Sequence, residues 1–138
     1  QTNMQGIKAW MRQNPSKLAE VLGQNPSYVF FRTTTGAADE GPIGALGAPL
    51  TGEYSAAIDK HHVELGAPIF VATTHPLNNK PHNRLIMAQD TGSAIKGGVR
   101  VDYYWGYGDA AGEVAGKMKH PGQVWMLLPN GYTPRYQP

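Results

Sequence analysis

The first 23 positions carry apolar residues at helical spacing. Met4, Ile7 and Met11 fall on one side of a first helix. Asn14-Pro15 then restarts the helix, with Asn14 as its N-cap and Pro15 in its first turn. Leu18, Val21 and Leu22 form the apolar face of the second piece, and Gly23 is its C-cap. Asn25-Pro26 ends the helical region. From there the pattern shortens towards period two. SYVFFR at 27–32 has strand composition, and residues 33–52 read as an extended segment with turns, anchored by Ile43, Leu46 and Leu50. Short strands are predicted over Ser55–Asp59 and Ile69–Thr73, with a polar loop, THPLNNKPHN, over 74–83. The strand Arg84–Asp90 places Ile86, Ala88 and Asp90 on one face. In Val99–Trp105 the apolar face holds Val99, Val101, Tyr103 and Trp105, and the other face Arg100, Asp102 and Tyr104. Asp109 is the expected cap of a helix over 110–119, striped by Ala111, Val114, Ala115 and Met118. Pro121-Gly122 turns the chain into a last strand, Gln123–Leu128, before a polar surface tail at 130–138.

Short strands separated by Gly and Pro, with helices near each end, predict a mainly β fold with peripheral helices, drawn together as a small β-barrel. Composition agrees: 17 glycines and 11 prolines among 138 residues favour turns over long helices. A net charge of +2 without a Lys/Arg run excludes nucleic acid as the expected partner. The absence of cysteine excludes disulfides, thiolate metal sites and a cysteine nucleophile. No stretch approaches the ~18 apolar residues of a membrane span. The chain opens on Gln1, as expected of a trimmed or mature product.

Chemistry concentrates in RLIMAQDTGSAIKGGVRVDYYWGY, residues 84–107. A carboxylic acid partly withdrawn from water holds its proton to higher pH, as a general acid near neutrality requires. Asp90, ending an apolar strand at a glycine turn, is the first candidate for that role. The alternative is a turn aspartate bonded to its own backbone. Asp59 and Asp102 are either acids that orient Asp90 or rim acids paired with Arg100, Lys60 or Lys96. Tyr103 and Trp105 alternate into the core, which leaves Tyr104 and Tyr107 as groove aromatics suited to a sugar face. The five histidines show no zinc-binding spacing and read as surface loop residues. DTGS at 90–93 matches the aspartic-protease signature. That chemistry needs two carboxylates sharing a proton, so a single DTG would require a homodimer, and the downstream apolar-apolar-Gly motif of such enzymes is replaced here by a Gly-rich turn, aromatics and a small-residue helix. No metal or cofactor is expected.

Four runs taken in order carry a resemblance: NPSYVFFR (25–32), GALGAPLTGEYSAAIDKHHVELGAPIFV (44–71), AQDTGSAIKGGVRVDYYWGYGDAAGEVAGKMKHPG (88–122) and VWMLLP (124–129). Together they resemble the C-terminal half of the membrane-bound lytic transglycosylase A family. Within them SAAIDKHHVELGAPIFV and AQDTGSAIKGGVRVDYY look like its 3D domain, named for three aspartates that fall here on Asp59, Asp90 and Asp102. The resemblance implies a double-psi β-barrel completed by a missing N-terminal segment. It divides the chain into 1–26, the return from an inserted domain, 27–129, the catalytic barrel, and 130–138, a tail. It implies cleavage of the β-1,4 bond between N-acetylmuramic acid and N-acetylglucosamine, giving a 1,6-anhydromuramic end, with Asp90 as single general acid/base. Ser93 stands where the family often has Gly. Gly92, Ser93, Lys96, Tyr104 and Tyr107 are the expected substrate-binding residues. A non-catalytic glycan-binding domain on the same barrel is the alternative reading. The expected partner is the glycan strand of peptidoglycan, met by a monomer in the periplasm and anchored to the outer membrane through a segment outside this chain.

Overall fold

The computed structural model describes residues 4–30, 33 and 40–132. The chain divides into two units, Gln1–Ala37 and Ala38–Pro138. In the first, α1 (Met4–Gln13) is followed by a 3-10 turn (Pro15–Lys17) and α2 (Leu18–Leu22). The break falls at Asn14-Pro15 as expected, but Asn14 does not cap the following turn. Its side-chain amide instead donates to Trp10 O at 2.8 Å, closing α1 from behind. No residue of either helix is buried. Ser27–Phe30 is not a strand: Tyr28 and Phe30 stack on each other at 4.8 Å and are 83% and 86% exposed. Apolar composition alone makes no strand without a ladder partner, and 31–32 lie outside the described residues.

The second unit is one five-stranded mixed sheet: β1 (Ser55–Ile58), β2 (Pro68–Thr74), β3 (Pro81–Thr91), β4 (Val101–Tyr104) and β5 (Gln123–Met126), in the order β4-β1-β3-β2-β5. The β1–β3 pair is parallel and the others antiparallel. The expected 74–83 loop is shorter than its polarity suggested, because Pro81–Asn83 already pair with Ala72–Thr74. At the other end of the sequence pattern, β4 starts two residues later than the alternation implied. Gly97 adopts φ +100 and Val99 is 93% exposed, so the ladder begins only at Val101. The last helix, α3 (Gly108–Lys117), opens from Tyr107 at its N-cap, which leaves Asp109 inside the first turn rather than capping it.

The inner face holds Ala56, Ile58, Val63, Ile69, Val71, Ile86 and Ala88, with Val101, Tyr103, Val124 and Met126 packed against them. Full burial of an isoleucine is worth about 1.5–3 kcal/mol, so Ile58, Ile69 and Ile86 dominate this core. Val101 and Tyr103 of β4 line a cavity of about 70 Å³ together with Val71 of β2 and Val124 of β5. The two edge strands therefore curl towards each other. They do not pair, and Met118 and His120 share the space between them. The sheet is open where a closed barrel was expected. No helix among the described residues is long and apolar enough to cross a membrane.

Candidate functional site

A register irregularity places the carboxylates. Ala56 pairs with Ala88 but Ala57 pairs with Asp90, so Gln89 is an extra residue in β3. The bulge ends the strict alternation of β3, in which Ile86 and Ala88 are buried but Gln89 and Asp90 are both half-buried. Gln89 is held by Ser55, whose buried hydroxyl donates to Gln89 Oε1 and accepts from Thr51 N–H at 2.8 Å. On the other side of β1, Ala57 pairs with Asp102. Asp90, Ala57 and Asp102 thus form one row across three strands, with the acid backbones roughly 10 Å apart at two strand spacings. Asp59 follows two residues after Ala57, where β1 has ended.

The three acids are not equivalent. Asp59 is only 5% exposed and accepts backbone N–H bonds from Gly97 at 2.9 Å and His61 at 3.1 Å. These two bonds, the Gly97 bond foremost, hold its carboxyl down at about 2, below the ordinary 3.8. Asp102 is half in solvent and takes a bidentate pair from Arg100, at 2.8 and 2.9 Å. The same pair raises the Arg100 guanidinium further above its ordinary value. Asp90 accepts a single neutral donor, Ala45 N–H at 2.9 Å, and no cation pairs with it among the described residues. The turn-aspartate alternative therefore fails, since its hydrogen bond reaches 45 residues back along the chain rather than into its own turn.

Ala45 belongs to a tight turn at 42–50, closed by Leu50 N–H to Pro42 O and Gly44 N–H to Ala48 O. Leu46 N–H also donates to Gln89 O at 3.0 Å, so the turn lies directly on the end of β3. Only glycine fits at 44: a Cβ there would stand 2.6 Å from Gln89 O.

Two hollows flank the row. The smaller, about 140 Å³, is lined by Asp59, Lys60, Gly92, Ser93, Ile95 and Lys96 among others. The larger, about 480 Å³, is bounded by Gly41, Leu50, Thr51, Gly52, Tyr104 and Tyr107 among others. Tyr104 lies two residues along β4 from Asp102 and so shares its face. The structure thus gathers Gly92, Ser93 and Lys96 beside Asp59, and Tyr104 and Tyr107 in a separate groove beyond Asp102. Tyr103 and Trp105 are packed inside as expected, their rings 4.6 Å apart. Three histidines depart from the expectation of surface residues: His82 lies on β3, is 8% exposed, and bonds Tyr103 OH at 3.0 Å, His75 is half-buried with its ring 5.3 Å from that of Trp105, and His120 is half-buried between the edge strands. Sequence reading also missed Ala45 and Gln89. The bulge and a backbone donor 45 residues away leave no local signal, although the glycine at 44 marks a close approach. No cluster of acids and histidines able to hold a metal occurs among the described residues.

The chain is similar to proteins already known. The 3D domain matches residues 54–128, more than half of the chain. The chain belongs to the 3D-domain family. The MltA specific insert domain matches residues 1–32. Among curated relatives, membrane-bound lytic murein transglycosylase A of Escherichia coli K12 is 37% identical over 132 residues, covering 91% of this 3D-domain chain and 35% of the relative. MltA from Neisseria gonorrhoeae superposes with a TM-score of 0.87 at 69% identity, over 99% of this chain and 35% of that one. A structure of E. coli MltA with bound chitohexaose superposes with a TM-score of 0.75 at 34% identity, over 90% of this chain and 38% of that one. This 3D-domain chain spans about a third of the length of the curated relatives it matches.

Proposed function

We propose that this chain is the catalytic portion of a lytic murein transglycosylase, cleaving the β-1,4 bond between N-acetylmuramic acid and N-acetylglucosamine with Asp90 as its single acid/base. The observation that carries the proposal is the inequality of the three acids. Asp59 is committed to two backbone donors and Asp102 to Arg100, whereas Asp90 carries one neutral hydrogen bond and has capacity left for a substrate proton.

A hydrolase of either stereochemical outcome uses a second carboxylate as base or nucleophile. A transglycosylase instead uses the C6 hydroxyl of the muramic sugar. Asp90 gives its proton to the glycosidic oxygen as the bond from C1 to that oxygen breaks, and the freed sugar leaves with a 4-hydroxyl. The C6 oxygen bonds to C1, and its proton passes to Asp90, restoring the acid. Both ends of the new bond are in one sugar, so effective molarity replaces a protein nucleophile. Gly92, Ser93 and Lys96 border the small hollow beside Asp59, where turn amides and a cation favour developing negative charge. Tyr104 and Tyr107 supply rings to the larger groove, which suits a glycan strand. Murein transglycosylase A relatives and the chitohexaose complex of E. coli MltA support this substrate class.

The finer architecture belongs to the same proposal. Residues 1–26 return from an inserted domain, 27–129 form the barrel portion and 130–138 a tail. A preceding segment of the longer protein closes the open sheet into a double-psi barrel and carries an outer-membrane anchor in the periplasm, where the protein acts as a monomer. The test is Asp90→Asn in the full-length protein. Folding and sedimentation with purified sacculi should persist while release of anhydro-muropeptides falls to background. Continued release by Asp90→Asn would refute the mechanism. A wild-type protein that sediments with sacculi and releases nothing would instead be a glycan-binding domain.

A further inference from the structure

The turn that follows Asp90, residues 92–98, is tied down by three hydrogen bonds, of which the backbone bond from Arg100 N–H to Gly97 O is the longest at 3.4 Å. Gly97 N–H donates to the buried Asp59 carboxylate at 2.9 Å, and Ala94 O accepts from Arg100 Nη1 at 2.7 Å. Arg100 is itself fixed by Asp102, through Nε at 2.8 Å and Nη2 at 2.9 Å. A half-exposed ion pair alone contributes little. Here, however, the guanidinium spends a third N–H on the turn, so the pair joins the start of β4 to Ala94. Gly97 is left-handed at φ +100, and Gly98 follows it, so the backbone at this corner is not rigid of itself. Inside the turn only Ile95 N–H to Gly92 O, at 3.0 Å, holds it together.

We propose that Arg100 is a positioning residue, which clamps the 92–98 turn against β4 and so holds Ser93 and Lys96 at the hollow beside Asp59, directly after the strand end that carries Asp90, and that Asp102 acts through Arg100 rather than on the substrate. The catalytic part of this inference rests on the transglycosylase reading; the clamp itself does not. The geometry demands arginine. A lysine ammonium is a point charge and cannot fork onto a carboxylate while also reaching a carbonyl on the far side. Asp59 and Asp102 then share one task, the first by taking an N–H from the turn directly, the second by aiming the group that takes its carbonyl.

The test uses the full-length protein with Arg100→Ala, Arg100→Lys, Asp102→Asn and the Arg100→Ala/Asp102→Asn double variant. Amide hydrogen exchange over 92–98 reads the clamp without reference to activity. Arg100→Ala should speed it roughly tenfold, as loss of a local restraint does, with the rest of the sheet unchanged. On glycan strands the same variant should lower kcat roughly 10- to 100-fold, the scale of an ångström-level misplacement, while KM moves less than about twofold. Arg100→Lys should restore only a small part of both, and the double variant should be no worse than Arg100→Ala alone. Unchanged exchange in Arg100→Ala overturns the clamp. A full additional loss from Asp102→Asn in the Arg100→Ala background overturns the indirect role of Asp102. A wild-type protein that releases no anhydro-muropeptides removes the transglycosylase reading, and the exchange measurement still decides the clamp.

Discussion

Gly44→Ala isolates the contact that places Asp90. The added Cβ would stand 2.6 Å from Gln89 O, and 3.4 Å is an ordinary contact, so the turn must retreat from β3 by about 0.8 Å. A backbone carbonyl inside a five-stranded sheet cannot give way as a side-chain tip would. That retreat stretches Ala45 N–H to Asp90 from 2.9 Å to about 3.7 Å, and Leu46 N–H to Gln89 O lengthens with it. Each hydrogen bond is worth about 0.5–1.5 kcal/mol, so the loss of the two should be roughly 1–3 kcal/mol in all. Urea unfolding monitored by tryptophan fluorescence measures it. Release of anhydro-muropeptides from sacculi should fall by up to roughly 100-fold, because the acid loses the Ala45 donor and its position. Gly47→Ala is the control in the same turn. Its φ of +80 makes a side chain cost about 1–2 kcal/mol, yet no atom lies within 4 Å of the new Cβ, so Asp90 should keep its donor and anhydro-muropeptide release its wild-type level under the proposed function. A Gly44→Ala protein within 0.5 kcal/mol of wild type on the scale of one neutral hydrogen bond, or one no less active than Gly47→Ala, would refute the reasoning.

Two further outcomes follow from other parts of the unit. Burial pushes the His82 imidazole below its ordinary 6.5, so the unfolded chain takes up this proton first as pH falls. Stability must then decline on acidification from about 6.5 downward, and His82→Gln should flatten that decline in a thermal-unfolding series between about pH 7 and 5; parallel slopes for the two proteins would sink the assignment. Tyr107→Ala should raise KM for glycan strands roughly 2- to 10-fold, the equivalent of one aromatic contact of about 0.5–1.5 kcal/mol, with kcat little changed. An unaltered KM would take Tyr107 out of the groove's binding surface.

Much of the unit was legible because alternation and burial coincide there. Ile86 and Ala88 in β3, and Tyr103 and Trp105 around β4, lie inside as their spacing predicts. The break at Asn14-Pro15 was legible for a different reason, since proline lacks the N–H a continuous helix needs. What escaped depends on distance along the chain. SYVFFR looks like a strand, but a strand is a relation to a partner, and Tyr28 and Phe30 are solvent-exposed. Val99 continues the β4 alternation on paper, but the left-handed Gly97 keeps the chain off the ladder until Val101. Asp90 could be singled out from its strand and turn. Its donor could not, because Ala45 and the Gln89 bulge are backbone features of remote origin. That the sheet stays open, where a barrel was expected, escaped for the same reason: edge strands β4 and β5 curl together without pairing, which no local pattern reports.

The strand order has a consequence for how the molecule is made. β2 and β3 are joined by six residues and can pair as soon as both exist. β1 cannot: it lies between β3 and β4 and does not pair with β2, the strand that follows it in sequence. Ala57 waits 45 residues for Asp102, which at about 5–20 residues per second is several seconds of synthesis. The sequence of the waiting strand, Ser-Ala-Ala-Ile, is short and only weakly apolar, a poor template for pairing with a stranger. Non-local closure is also the slow step in a chain of this topology. The β1–β4 side of the carboxylate row accordingly assembles after the β2–β3 hairpin, and pulse-labelled exchange during refolding should find the amides that join β2 to β3 protected before those that join β1 to β4.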